Sequence, residues 1–148
     1  MKYYQAPRTY QPEKTLFLAG GITNCPDWQT EVASQLRETF LSLFNPRRKE
    51  FPINDPLASR NQIEWEYKHL NLADGILFWF PCETLCPIVL FELGSWLGSS
   101  KPLFIGVHPD YKRKADVEIQ TKLKRKNEEI SYSLEDLVVR VKEWSDFT

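Results

Sequence analysis

The sequence is sparing with the residues that mark several large protein classes. Its 148 residues hold three cysteines, two histidines, one methionine and six glycines. An odd cysteine count at no regular spacing gives no disulfide framework, so a reduced, cytoplasmic protein is expected. Cys25, Cys82 and Cys86 then read as small buried or half-buried thiols. His69 and His108 lie far from any cysteine pair in the chain, and no metal site is expected. No apolar run reaches the roughly 18–20 residues that span a bilayer. The opening stretch MKYYQAPRTYQPEK is polar and carries no apolar h-region, so no secretory signal is expected. Excess charge is missing too. Nineteen basic residues meet twenty acids for a net charge of -1, which gives no field directed at nucleic acid or an anionic membrane. Repeats and linkers are absent, so one domain over 1–148 is expected, with 1–14 as an N-terminal extension.

What is present is apolar and aromatic. Hydrophobic residues make up 42% of the chain and aromatics 14%, enough to fill one core. KTLFLAG (14–20) reads as a buried strand ending in a tight Gly-Gly turn. Asp27 is a plausible N-cap for a helix whose apolar positions are Trp28, Val32, Leu36, Phe40 and Leu43. A short strand fits 41–45, a Pro-rich loop 45–59 and a second helix 60–73. GILFWF (75–80) is a strand, and Pro87 opens a helix to about Ser99. A strand over 102–107, a helix over 114–125, a short strand within 130–133 and a helix over 133–144 complete the reading. Strands that are continuous apolar runs and alternate with helices imply a mostly parallel, five-stranded sheet covered on both faces. Such sheets bind ligands beyond the carboxyl ends of their strands. That places Gly20, Gly21 and Ile22, then Asn45 to Arg48, then Pro81 and Cys82, and the 106–111 turn, at a candidate site.

Two carboxylates stand out. Glu92 interrupts the apolar run CPIVLFELGSWLG (86–98), where lost hydration costs free energy unless something compensates. It is a candidate nucleophile or general base in a partly dry cleft; a solvated or arginine-paired rim residue is the alternative. Glu66 flanks a stripe formed by Ile63, Tyr67 and Leu70, whereas Glu64 and Lys68 fall toward solvent. Two inward acids on neighbouring helices suggest glycosyl chemistry, one attacking the anomeric carbon and the other moving a proton. In that scheme Glu66 needs the higher pKa of the pair. The Gly-Gly turn lets a ligand approach the backbone, or is a plain strand-to-helix turn. Arg47 and Arg48 are candidates for binding a carboxylate, a phosphate or a base edge, or for pairing with Glu66 or Glu92, with a solvated loop as the alternative. Trp28, Trp65 and Trp79 offer flat faces to a heteroaromatic ring, or fill the core. The basic run within 112–126 reads as a solvated face.

In order along the chain, FLAGGI (17–22) with Asp27-Trp28, FNPRR (44–48), QIEWEYKHLNLADGILFWF (62–80), CPIVLFELG (86–94) and HPDYKRKADVEIQ (108–120) resemble the nucleoside 2-deoxyribosyltransferase family, in particular its shorter bacterial branch. The resemblance implies a flavodoxin-like α/β fold, with three layers like those of Rossmann-like proteins. It implies a homo-oligomer (dimer, tetramer or hexamer) whose subunits share active sites. It makes Glu92 the nucleophile, within ELG, and Glu66 the proton donor to the base, counted back from Ala73-Asp74. The 19–22 turn corresponds to the substrate loop. Asp116 and Gln120 are candidates for a neighbouring subunit's contribution. The chain departs from the family pattern where Phe17 replaces a tyrosine, Cys86 an acid and Glu66 an aspartate. The implied reaction moves 2-deoxyribose between nucleobases with retention, taking nucleosides and free bases and no cofactor or metal. A nucleoside or nucleoside 5′-monophosphate hydrolase using the same glutamates is the alternative, and a non-catalytic nucleotide-binding module is the second.

Overall fold

The computed structural model describes residues 13–48 and 51–147. Of the expected N-terminal extension, residues 1–12 lie outside the described residues. The elements are β1 (Thr15–Gly20), α1 (Trp28–Leu36), β2 (Ser42–Phe44), α2 (Ala58–Leu72), β3 (Gly75–Phe80), α3 (Pro87–Leu97), β4 (Leu103–Val107), α4 (Lys114–Lys124), β5 (Ile130–Ser131) and α5 (Leu134–Asp146). The strands lie in the order β2-β1-β3-β4-β5. All four pairings are parallel, so the sheet is parallel throughout rather than mostly so. This is a flavodoxin-like, three-layer α/β sandwich, and its chain order reverses at β1 and β3.

Alternation along each strand divides the core in two. Phe17, Ala19, Ile76, Phe78, Phe80, Ile105 and Val107 face a layer made by Leu70 of α2, Val89 and Leu93 of α3 and Val117 of α4. Leu16, Leu18, Leu77, Trp79 and Phe104 face the other layer, made by Trp28 and Val32 of α1 and Leu137 and Val141 of α5. Because both faces are covered, β1, β3 and β4 are buried almost end to end. Asp74 clips the two central strands together at their entry. Its Oδ2 accepts from the Thr15 backbone N–H at 2.8 Å and from Thr15 Oγ1 at 3.0 Å.

The start of α1 is closed as the sequence suggests by Asp27, whose Oδ1 accepts from the Thr30 N–H at 3.2 Å, and the start of α5 by Ser133, whose Oγ accepts from the Asp136 N–H. Other readings change. Helix α1 stops at Leu36, where Thr39 returns a hydrogen bond to the Leu36 carbonyl; Phe40 is 87% exposed and Leu43 belongs to β2. On α2 the buried stripe is not Ile63-Tyr67-Leu70, because Ile63 and Tyr67 are 64% and 72% exposed. The inward side carries Ala58, Gln62, Trp65, Glu66, His69 and Leu70. Arg125 does not belong to a solvated basic face. Its guanidinium donates to the Leu97 and Trp96 carbonyls at 3.1 and 3.2 Å, capping the negative end of α3. Lys101 does the same for α2 through the carbonyls of Leu70 and Asn71.

Helix α5 sits directly on Gly106 of β4. A methyl group there would meet Leu137 and lie 2.9 Å from the Trp79 ring. Gly106→Ala should therefore lower stability in urea by about 1–3 kcal/mol through overpacking. Gly94 of α3 has open space around the same position. Gly94→Ala should leave stability unchanged or raise it by up to ~1 kcal/mol. Equal effects at the two sites would contradict this packing.

Candidate active site

At the carboxyl end of β1 lies an open cavity of about 240 Å³. Its walls are the turn Gly20, Gly21, Ile22 and Thr23, then Pro46 after β2, Glu66 of α2, and the segment from Thr84 into α3 that ends at Glu92. The two acids singled out in the sequence thus share one cavity, with Phe17 and Ala19 at its floor.

The turn is shaped by close packing. No glycine has positive φ. A side chain on Gly20 would strike the Trp28 ring and lie 2.6 Å from the Trp79 carbonyl. One on Gly21 would meet Pro81 at 2.8 Å and the sulfurs of Cys25 and Cys86 at 3.0 and 3.1 Å. The Gly21 carbonyl is held in place by the Trp28 indole N–H at 2.9 Å and the Gln29 amide at 3.2 Å. Arg47 braces the same turn. Its guanidinium donates to Gln29 Oε1 at 2.9 Å and to the Pro26 carbonyl at 3.0 Å, and it lies 3.5 Å from Asp27. It pairs with neither glutamate.

The remaining candidates fall elsewhere. Trp79 points to the opposite face of the sheet, because it alternates with Phe78 and Phe80. Pro81 packs beneath Gly21. Asn45 and Arg48 line a second cavity of about 320 Å³ with Pro46, Asn61, Gln62 and Trp65. Asp116 and Gln120 bond to each other on α4, and neither lines the glutamate cavity of its own chain. The 106–111 turn does not reach that cavity either.

Burial governs the electrostatics. The Glu92 carboxyl is pushed up to about 7, first by loss of water and then by the negative charge of Glu66. Glu66 is raised by burial as well, and the Gln62 side-chain amide, donating to its Oε1 at 3.4 Å, partly opposes that rise. Burial raises both acids, and Glu66 has in Gln62 a donor that favours its ionised form. Gln62 was absent from the sequence reading. Its spacing of four from Glu66 on one helix was the available signal.

Cys86 closes the cavity at the start of α3, with a left-handed backbone (φ 51°) unusual for a side chain other than glycine. Burial pushes its thiol up to about 12, so it meets a ligand as a neutral group.

Glu92 also couples the site to stability. Its folded pKa lies above its unfolded value near 4.5, so the fold loses stability as pH rises through about 7. Glu92→Gln removes that penalty. The variant should be about 2 kcal/mol more stable than the parent at pH 8, a melting shift of roughly 5 °C, and nearly equal to it at pH 4.5. A melting difference independent of pH would contradict the burial of this charge.

Among curated proteins, no sequence matches the chain. A family model described as nucleoside 2-deoxyribosyltransferase-like matches residues 13–111, a span from β1 past β4 that includes both glutamates. With two thirds of its length matched by that model, the chain belongs to the nucleoside 2-deoxyribosyltransferase-like family.

Proposed function

We propose that the protein transfers 2-deoxyribose between nucleobases through a covalent intermediate on Glu92. The observation that carries this reading is the pair of coupled, half-buried carboxylates in one cavity, within a chain of this family. A Glu92 oxygen bonds to the anomeric carbon as the carbon–nitrogen bond breaks, and Glu66 gives its proton to the departing base nitrogen. A second base then attacks the same carbon, Glu66 takes that base's proton, and the Glu92 ester bond breaks. Two inversions give net retention. Positive charge developing on the sugar favours ionised Glu92, so the reactive form carries the pair's proton on Glu66.

The walls support a neutral sugar as the guest. They hold two acids and, among the described residues, no cation, so a 5′-phosphate meets like charge. Apolar Phe17, Ala19, Ile88 and Val89 limit the water that competes for the sugar ester, which favours transfer over hydrolysis. The neutral Cys86 thiol stands where the family pattern has an acid, and this is where sugar selectivity should differ.

We also propose a homo-oligomer that covers the outer sides of α2 and α3. Ile63 and Tyr67 on one, and Ile88 and Phe91 (64% and 74% exposed) on the other, present apolar surface beside the two helices that carry the glutamates. Asp116 and Gln120 would then serve a neighbouring subunit's cavity. Sedimentation at more than one protomer mass is expected; a monomer at assay concentrations would remove this element.

The activity is read by incubating the protein with 2′-deoxyinosine and adenine and following products by chromatography. Deoxyadenosine is expected, with a rate that is highest while the pair holds one proton and falls as pH rises past about 7. Glu92→Ala should reduce exchange by at least about 10³-fold. Free sugar without deoxyadenosine would instead support the hydrolase, and unchanged substrate the binding module. Full exchange by Glu92→Ala would sink the mechanism.

A further inference from the structure

The second cavity adjoins the first. Pro46 lines both, and Gln62, on the wall of the second, donates to Glu66 on the wall of the first. The rings of Phe17 and Trp65, one in each lining, have centroids 6.1 Å apart. A base attached to a sugar held at Glu92 and protonated by Glu66 would extend past Glu66, toward this neighbouring space.

The polar groups there are mostly uncommitted donors. Arg48 is exposed, with its guanidinium 5.8 Å from the Phe51 ring centroid; among the described residues no carboxylate pairs with it. Asn45 spends its Oδ1 on the Arg47 N–H at 2.9 Å, leaving its amide N–H groups available. The Asn61 side chain has no partner among the described residues. Gln62 is the exception. Its N–H groups are engaged by the Pro46 carbonyl at 3.0 Å and by Glu66, leaving one oxygen as acceptor. The Arg48 guanidinium and the Asn45 N–H groups are donors that match a ring carbonyl oxygen, while the Asn61 amide offers both an N–H and an oxygen. An exocyclic amine in the same place would meet donors with its own N–H groups.

Resting on the proposed transferase reading, we infer that this second cavity is the base subsite and selects bases that carry a ring carbonyl. Arg48 and Asn45 donate to that oxygen, Asn61 and the Gln62 oxygen take the remaining polar edge, and Trp65 forms a flat wall.

Hypoxanthine and adenine test this, since C6 carries a carbonyl in the first and an amine in the second, and the adjacent N1 is correspondingly an N–H donor in the first and an acceptor in the second. Calorimetric titration of the intact protein with each free base should show hypoxanthine binding about tenfold more tightly. Arg48→Met, at an exposed loop position, should keep its melting temperature and bind hypoxanthine no better than adenine. Arg48→Lys should recover part of the preference. Equal binding of the two bases, tighter adenine, no binding of either, or an undiminished preference in Arg48→Met would each overturn the assignment. The readout is separable from transfer. Selective hypoxanthine binding in a protein without exchange activity would retain the subsite and remove the transferase, whereas exchange without selective binding would do the reverse.

Discussion

Two acids held in one sheltered cavity cannot both ionise without cost, and the arrangement of the site follows from that constraint. Glu92 has lost much of its water and faces the charge of Glu66, so its carboxyl stays protonated to about pH 7. Glu66 is raised by burial too and keeps one donor, the Gln62 amide, which favours its ionised form. The pair is therefore poised between two arrangements of one proton. In the proposed reaction, positive charge developing on the sugar beside Glu92 would place that proton on Glu66.

The fold makes this possible by supplying two rigid helices at the point where the sheet's order reverses. Helix α2 presents Glu66 from the side it buries on β1, and α3 presents Glu92 between its buried and exposed sides. Both helices are tied down at their carboxyl ends by side chains from elsewhere, Lys101 for α2 and Arg125 for α3. The Gly20-Gly21 turn completes the cavity because Trp28 and Pro81 leave room for nothing larger. Arg47 locks that turn by reaching four carbonyl or side-chain oxygens on the first helix and its approach.

Much of this was legible in the sequence because it was written in periodicity. Continuous apolar runs gave the parallel strands and a lone acid in an apolar helix marked Glu92, whereas the stripe that pointed to Glu66 proved exposed at Ile63 and Tyr67, and the family resemblance, counted back from Ala73-Asp74, is the signal for Glu66 that holds. What periodicity could not carry was the outcome of long-range contacts. Arg125 looks like any member of a basic run until it meets the open carbonyls of Leu97 and Trp96 at the end of α3, 28 and 29 residues away. Trp79 and Phe78 are equally aromatic, and only the sheet's alternation sends one to the cavity side and the other away. Ile63 and Tyr67 satisfied a helical stripe, yet they lie on the exposed side of α2. Burial depth at Glu92 and the Gln62 bond to Glu66 are likewise products of packing.

The proposed mechanism turns on which carboxylate receives the sugar. Intact-mass spectrometry of the protein quenched during turnover with a 2′-deoxynucleoside, followed by peptide mapping, decides it. A mass increase of one deoxyribosyl unit located on Glu92, and lost when a free base is added before quenching, is the predicted result. The same adduct located on Glu66, or exchange proceeding in Glu92→Gln with an adduct elsewhere, would contradict it.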